Sequence, residues 1–254
     1  MVRFTKEFYK DLAILIIAIA ALITMFMLLP ACNVQVPRGA PQAQAVSADV
    51  TPVAPITAPT YKYQWDNKGD AKPEWAGYLV SAMVDTPALL SDKSDMTSFC
   101  SKWPSLNVEQ RKAVVVQLIA AMTSHESSYH LTSYAVEPAS AFPTPDEVTG
   151  KPVASEGLLQ LSYQDQKSYK GKIKDGYCVF NWPADKALDV KDPKKSIFQA
   201  KANLQCGLLI LNRQVERSGL IANDKSYWSV LRPNGKYSQT IKIKASVQGF
   251  ELCK

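Results

Sequence analysis

The sequence predicts a mostly helical domain over residues 61–254, and three features predict it. Asn107 opens a run through Ala113-Val114-Val115-Val116 and Leu118-Ile119-Ala120-Ala121-Met122 that is apolar on nearly every face. Such a helix belongs in the middle of a core rather than on a surface. Asp192 opens a second run, in which Ile197, Leu204, Leu208, Leu211 and Val215 share one helical stripe, with Pro193 in its first turn and Gly219 just past its end. Between the two, residues 133–152 are rich in Pro, Ser and Thr and show no helical period. An excursion of that length in a compact domain is usually functional or mobile.

The remaining elements follow in order. Tyr61 to Trp75 is aromatic and polar without period and reads as an arm packed on the domain. Trp75, Leu79, Met83 and Leu90 suggest a helix, broken or kinked at Asp85-Thr86-Pro87 because proline lacks the N–H and clashes with the preceding turn. A short helix from Met96 to Lys102 follows, with Asp95 as its cap. Asn107 and Gln110 form a capping box, with Glu109 in the first turn, and the central helix they start ends near Ser127. Asn223 is expected to start a shorter helix carrying Tyr227, Trp228 and Leu231. The tail, Ile241 to Phe250, is compatible with helix or strand.

The first sixty residues are of another kind. Arg3, Lys6 and Lys10 precede an uncharged run from Leu12 to Ala31. That run can cross a bilayer, since about 20 helical residues span roughly 30 Å. Its end, Leu29-Pro30-Ala31-Cys32, resembles the lipobox of bacterial lipoproteins, in which Cys32 would carry the lipid. Pro30 and the length of the run fit an uncleaved anchor instead. Both readings place the rest of the chain outside the cytoplasmic membrane, where no nucleic acid is expected as a partner. Residues 33–60 contain five prolines and no aromatic side chain, cannot build a core, and read as a tether of up to about 3 Å per residue. The expected partition is 1–32 signal or anchor, 33–60 tether and 61–254 folded domain.

Cysteine use agrees with export. Of five cysteines, Cys32 is assigned to lipid, and Cys100, Cys178, Cys206 and Cys253 form an even set that reads as two disulfides. None has C-x-x-C spacing, so no zinc site is expected, nor any other cofactor. Three connectivities are open; we expect Cys100 with Cys253, tying the domain ends, and Cys178 with Cys206, pinning a loop to a helix.

Chemistry concentrates between Ser124 and Tyr163. Ser124-His125-Glu126-Ser127-Ser128-Tyr129 ends the central helix, and Glu156-Gly157-Leu158-Leu159-Gln160-Leu161 follows about thirty residues later. A glutamate leaving a buried helix is partly desolvated, which raises its pKa. A protonated carboxyl near neutral pH is what glycosidic cleavage needs to protonate the leaving oxygen. This ordered pair resembles the first two motifs of the lysozyme-like lytic transglycosylases and goose-type lysozymes, over roughly Val108 to Leu211. The resemblance implies an α+β, mainly α, lysozyme-like fold and cleavage of the β-1,4 glycan of peptidoglycan, with Glu126 as the catalytic acid. It also implies Ser127 beside that acid, Gly157 allowing close approach to the catalytic helix, and an apolar pair, Leu158 and Leu159, beneath the cleft. Gln160 and Tyr163 would then face the sugar. The family's third motif, Ala-Tyr-Asn-x-Gly, is absent, and Tyr227 stands as the substitute for its carboxylate-binding tyrosine.

Other catalytic readings are weaker. His125 and His130 flank Glu126 but sit one residue too far apart for the zincin signature. A hydrolase triad would lack its Gly-x-Ser-x-Gly elbow. A wall-binding or assembly module that keeps the fold without activity is the rival from another class.

Charge bears on substrate. The chain carries a formal net +6, yet residues 121–166 hold six acids against Lys151 alone. An acidic cleft would favour a cationic glycan, such as a glucosamine without its acetyl group, by charge complementarity. In this the chain is similar to a deacetylation-specific type of lysozyme from predatory bacteria within the same superfamily. A sugar without that group cannot assist its own cleavage, so water must attack with help from a second carboxylate, about 6.5 to 9.5 Å away in inverting enzymes. Glu137, Asp146 and Glu156 are the candidates for it.

Overall fold

The computed structural model describes residues 61–254. The expected membrane segment, Cys32 and the tether lie outside the described residues, among which no helix is long and apolar enough to cross a membrane.

The aromatic arm packs as expected. Tyr63 stacks on Phe250 with ring centroids 5.8 Å apart, and Trp65 meets Trp75 edge-on at 5.6 Å. Helix α1 (Glu74–Ala82) runs into a 3-10 turn, Met83–Asp85, and a one-turn helix α2 (Pro87–Leu90). The break falls where Pro87 predicts it, and the N–H groups of Ala88 and Leu89 find a partner in Asn212 Oδ1, both at 3.1 Å. The helix expected from Met96 does not form. Asp95–Ser98 is a single 3-10 turn, and the Asp95 carboxylate, instead of capping it, accepts from Ile221 N at 2.7 Å across the domain.

Helix α3 (Val108–Glu126) is the central element. Its capping box is reciprocal: Gln110 N donates to Asn107 Oδ1 at 3.0 Å and Asn107 N to Gln110 Oε1 at 2.9 Å. Every residue from Ala113 to Thr123 is buried, so α3 is enclosed rather than amphipathic. Ser128 (φ 52°) and Tyr129 (φ 67°) then turn the chain sharply out of the helix. Consecutive left-handed residues that are not glycine cost backbone strain, of a kind that clusters at functional sites.

Strands β1 (Tyr134–Val136) and β2 (Ala154–Glu156) pair antiparallel, Tyr134 opposite Glu156 and Ala135 opposite Ser155. Two one-turn helices, α4 (Asp165–Ser168) and α5 (Trp182–Asp185), lead to the long α6 (Ala200–Ser218). That helix begins seven residues later than the sequence suggests, with Gln199 rather than Asp192 at its cap. Asp192 spends its Oδ1 on Lys194 N in a local turn, and Ile197 lies on a 3-10 turn, Ser196–Phe198. Gly219 closes α6 in the left-handed conformation (φ 70°), as expected.

The helix expected from Asn223 is also absent. Asn223 N donates to Ser226 Oγ and Asn223 Oδ1 accepts from Lys225 N, local bonds that compete with helix, and only a 3-10 turn, Ser229–Leu231, forms. The ambiguous tail is helix α7 (Thr240–Gln248), docked on α3 through a bond from Gln117 Nε2 to Ser246 Oγ at 3.0 Å. Both disulfides join the expected partners, Cys100 with Cys253 and Cys178 with Cys206. The domain is α+β and mainly α, with one core around α3 and α6.

Candidate active site

Glu126 is the last residue of α3 and the point where the buried helix meets the surface. Its Oε1 is enclosed and has no hydrogen-bond partner among the described residues. Burial pushes the carboxyl up to about 8; the nearby charge of Glu137 adds to this, and Arg232 opposes it. At neutral pH the group is a protonated acid poised at the end of a core helix.

Glu137 comes from the hairpin. Its N–H donates to Val153 O at 2.9 Å, continuing the β1–β2 ladder by one residue, and its Oε1 accepts from Ser155 Oγ. Because side chains alternate along a strand, Glu137 and Ser155 share one face of the small sheet and Tyr134 and Glu156 the other. Of the three candidates, Glu137 is the one whose charge bears on Glu126.

The other two candidates have different tasks. Glu156 points to the opposite face, where Lys195 Nζ meets its Oε2 at 2.5 Å, and both side chains are 5% exposed. The Lys195 ammonium lies over the rings of Tyr134, Tyr163 and Phe198. Asp146 is buried and holds a loop by accepting from the N–H groups of Val148, Thr149 and Gln164 at 2.8 to 2.9 Å. The acid excess of residues 121–166 is thus mostly internal: Asp146, Glu156 and Asp165 are buried and bonded, Glu126 is largely enclosed, and Glu137 and Glu147 remain for the surface.

The second motif is a tight turn clasped from α6. Glu156 and Leu161 exchange two backbone bonds, at 2.7 and 2.9 Å, around Gly157 (φ 79°) and Gln160 (φ 49°). Asn203 bonds three of the turn's neighbours: its Nδ2 donates to Glu156 O at 3.1 Å and Ile197 O at 3.0 Å, and its Oδ1 accepts from Leu159 N at 2.8 Å. A Cβ at position 157 would lie 2.4 Å from Asn203 Nδ2. The glycine permits close approach to α6, not to the catalytic helix α3 as expected. Leu158 and Leu159 are buried beneath the turn as expected, and Trp228 Nε1 donates to Leu159 O at 2.8 Å. Gln160 reaches back within the turn, its Nε2 donating to Gly157 O at 2.8 Å. Ser127 is buried and caps α3 by donating from Oγ to Thr123 O at 3.2 Å.

Two expected sugar contacts need correction. Tyr163 is 1% exposed; its hydroxyl donates to Asp185 Oδ2 at 2.8 Å and its ring packs on Trp182, so it belongs to the core. Tyr227 directs its hydroxyl to Asp165 Oδ2 at 2.6 Å and not to Glu126. His130 is exposed, 3.7 Å from Asp70, and burial lowers the pKa of His125. Neither forms a metal site: no such cluster of His, Cys, Asp or Glu exists among the described residues. Asn203, Lys195, Asp165 and Arg232 are parts of the site region that sequence reasoning missed. Each works through a contact far along the chain, so no local motif announces it.

No protein-family model and no curated protein sequence matches this chain. Solved structures do. Bd0314 DslA, a Bdellovibrio lysozyme-like protein, is 26% identical in its wild-type form 2, with a TM-score of 0.57 over 76% of this chain and 98% of that one. Two variants of the same protein, each with one glutamate changed to glutamine, are 27% and 28% identical, with TM-scores of 0.57 and 0.54, over 76% of this chain and 97% of theirs. The domain has a lysozyme-like fold.

Proposed function

We propose that this chain cleaves the β-1,4 glycan strands of peptidoglycan, with Glu126 protonating the leaving oxygen and Glu137 serving the attack on the sugar. The observation that carries this reading is a largely enclosed, neutral carboxyl at the end of α3, with a second carboxyl on the hairpin whose charge bears on it. One environment holds its proton to about pH 8, while the other offers Ser155 as a hydrogen-bond donor. Two carboxyls in such different surroundings can divide the acid and base roles between them. In Bd0314 DslA the two glutamates replaced in the solved variants lie eleven residues apart, the separation of Glu126 and Glu137 here.

A second carboxylate favours hydrolysis, in which water attacks, over formation of an anhydro product, which needs the substrate's own acetamido group. It also supports a sugar whose acetyl group has been removed. Most of the acid excess is buried, so this preference rests on Glu137 and on charge close to the bond being cut rather than on a broadly acidic cleft. The two disulfides accord with an exported domain. Attachment to the membrane through Cys32 or the segment before it completes the proposal. A silent wall-binding module would have no use for a carboxyl held neutral at a cost in stability.

The test is digestion of acetylated and deacetylated sacculi by the wild type, Glu126→Gln and Glu137→Gln, with mass spectrometry of the products. Reducing ends, released faster from the deacetylated polymer and lost in both variants, are expected. Undiminished release by Glu126→Gln removes the assignment of the acid. Anhydro ends, or equal rates on both polymers, remove the second carboxylate's role or the substrate preference respectively.

A further inference from the structure

Residues 63–70 form an arm that reaches the chain just after Glu126. Its start is anchored in the core: Gln64 N donates to Gln117 Oε1 on α3 at 3.0 Å, Ser246 Oγ on α7 bonds Gln64 Oε1, and Trp65 packs edge-on against Trp75. Its far end lies on the turn that closes α3. Asp70 N donates to Tyr129 O at 3.1 Å and Asp70 Oδ2 accepts from Leu131 N at 2.9 Å, so one residue clasps the backbone on both sides of His130. Gly69 (φ 51°) permits the approach, since a Cβ there would lie 2.9 Å from both Cβ and O of Tyr129.

The clasped turn is one that needs holding. Ser128 (φ 52°) and Tyr129 (φ 67°) are both left-handed, a conformation that sets Cβ against the following carbonyl. Such residues persist where their surroundings over-determine them. Within the turn, Ser127 N and Tyr129 N both donate to Thr123 O, the second at 3.4 Å, and His130 N donates to Ser127 O at 3.0 Å. Asp70 adds the bonds from outside. Its place along the chain matters as well, because the segment from Ser127 to Val136 joins Glu126 to Glu137. Asp70 holds that segment at Tyr129 and Leu131, and the glycine turn holds it further on, with Gly157 N donating to Ser133 O at 2.8 Å.

We propose that Asp70 is a positioning residue for the two carboxyls: by clasping the backbone between them, it fixes where Glu137 stands relative to Glu126. The inference rests on the cleavage reading for the roles of those two residues. Asp70 acts through the backbone of the turn alone. Its side chain is 45% exposed, so replacing it leaves the core intact. His130, 3.7 Å from Asp70 Oδ2, is the titratable group beside the clasp, while the charges of Glu137 and Arg232 bear on Glu126.

The wild type, Asp70→Ala, Asp70→Asn, Gly69→Ala and Glu126→Gln are compared on soluble deacetylated glycan strands, well below each unfolding midpoint. Asp70→Ala is expected to lower kcat about tenfold or more with KM within about twofold, because small displacements of reacting groups cost rate while binding survives. Asp70→Asn keeps an oxygen for Leu131 N and is expected to restore most of kcat. Gly69→Ala keeps the carboxylate but drives the arm off Tyr129, and kcat is expected to fall with it. A second readout needs no activity: the shift that Glu137→Gln produces in the Glu126 carboxyl titration, followed by carbon NMR. Adding Asp70→Ala is expected to shrink that shift to about half or less, since the interaction weakens as the two groups part. An arm that only adds stability would lower the unfolding midpoint and leave kcat and the titration shift unmoved, which overturns the proposal. Equal loss of kcat in Asp70→Asn and Asp70→Ala also overturns it. If Asp70→Ala does not fold, Gly69→Ala decides by the same two readouts. Full activity in Glu126→Gln would instead overturn the cleavage reading, and the titration shift would still decide the clasp.

Discussion

Replacing Glu126 by Gln should remove activity and change the pH dependence of stability in a direction that follows from where the residue sits. The unfolded chain releases this proton near 4.5, whereas the folded chain holds it to about 8. A group whose pKa rises on folding contributes stability that is fully present below the unfolded value and is lost as pH rises through the folded one. At pH 7 the wild type has forfeited about 2.5 pH units of this contribution, roughly 3 kcal/mol at about 1.36 kcal/mol per unit. Glutamine does not titrate and forfeits nothing. Its amide faces an enclosure that offered Oε1 no partner, which costs about 1 to 3 kcal/mol at every pH. The absolute effect at pH 7 is therefore small, but the difference between variant and wild type should shift by about 3 kcal/mol in the variant's favour between pH 4 and pH 7. Urea unfolding followed by circular dichroism at pH 4, 5.5 and 7 measures it. A difference that stays constant across that range would refute the claim that the fold holds this carboxyl neutral.

The remaining predictions concern the supports of the site. Lys195→Met leaves the buried Glu156 charge unpaired and should destabilise by about 3 to 5 kcal/mol, read from the urea midpoint, with part of the loss recovered in Lys195→Met/Glu156→Leu. Gly157→Ala drives a methyl onto Asn203 in a backbone conformation that L residues disfavour; it should cost about 2 kcal/mol or more and lower cleavage at every pH without moving the pH profile. Replacing Cys100 and Cys253 by Ser should lower the thermal midpoint more than replacing Cys178 and Cys206. The first bridge joins residues 153 apart and the second residues 28 apart, about 5 against 4 kcal/mol in the chain-entropy account. Calorimetry of the two double variants checks the order.

What the sequence makes legible is what is local. The capping box at Asn107, the all-round apolar run of α3, the break before Pro87 and the stop at Gly219 are each written in a few adjacent residues, and each forms as read. Glu126 is legible for the same reason, being the first carboxyl after a helix with no polar face. The misplaced starts at Asp192 and Asn223 show the opposite case. Both residues are good caps in isolation, but their side chains bond amides within two or three positions, and the helix pattern loses to the turn. Tyr163 misleads because spacing alone cannot say which way a ring turns after a left-handed residue such as Gln160.

The acid cluster carries the deeper lesson. Six carboxyls in one short stretch read as a surface field, yet three are buried and bonded and a fourth, Glu126, is largely enclosed. Asp146 is held from within the stretch, but Glu156 and Asp165 take partners from outside it, Lys195 and Tyr227, and the charge of Arg232 bears on Glu126. Counting charge along the chain cannot distinguish an acid that meets solvent from one that meets a tyrosine sixty residues away. Burial changes what such acids do: a solvated carboxylate attracts cations from a distance, whereas a buried one fixes the proton of its neighbour. In this domain the stretch that looked like a means of choosing substrate serves mainly to hold its loop and the glycine turn in place. Selectivity for a deacetylated sugar, if the sacculus assay finds it, is then to be sought at Glu137, the partly exposed carboxyl whose charge bears on Glu126.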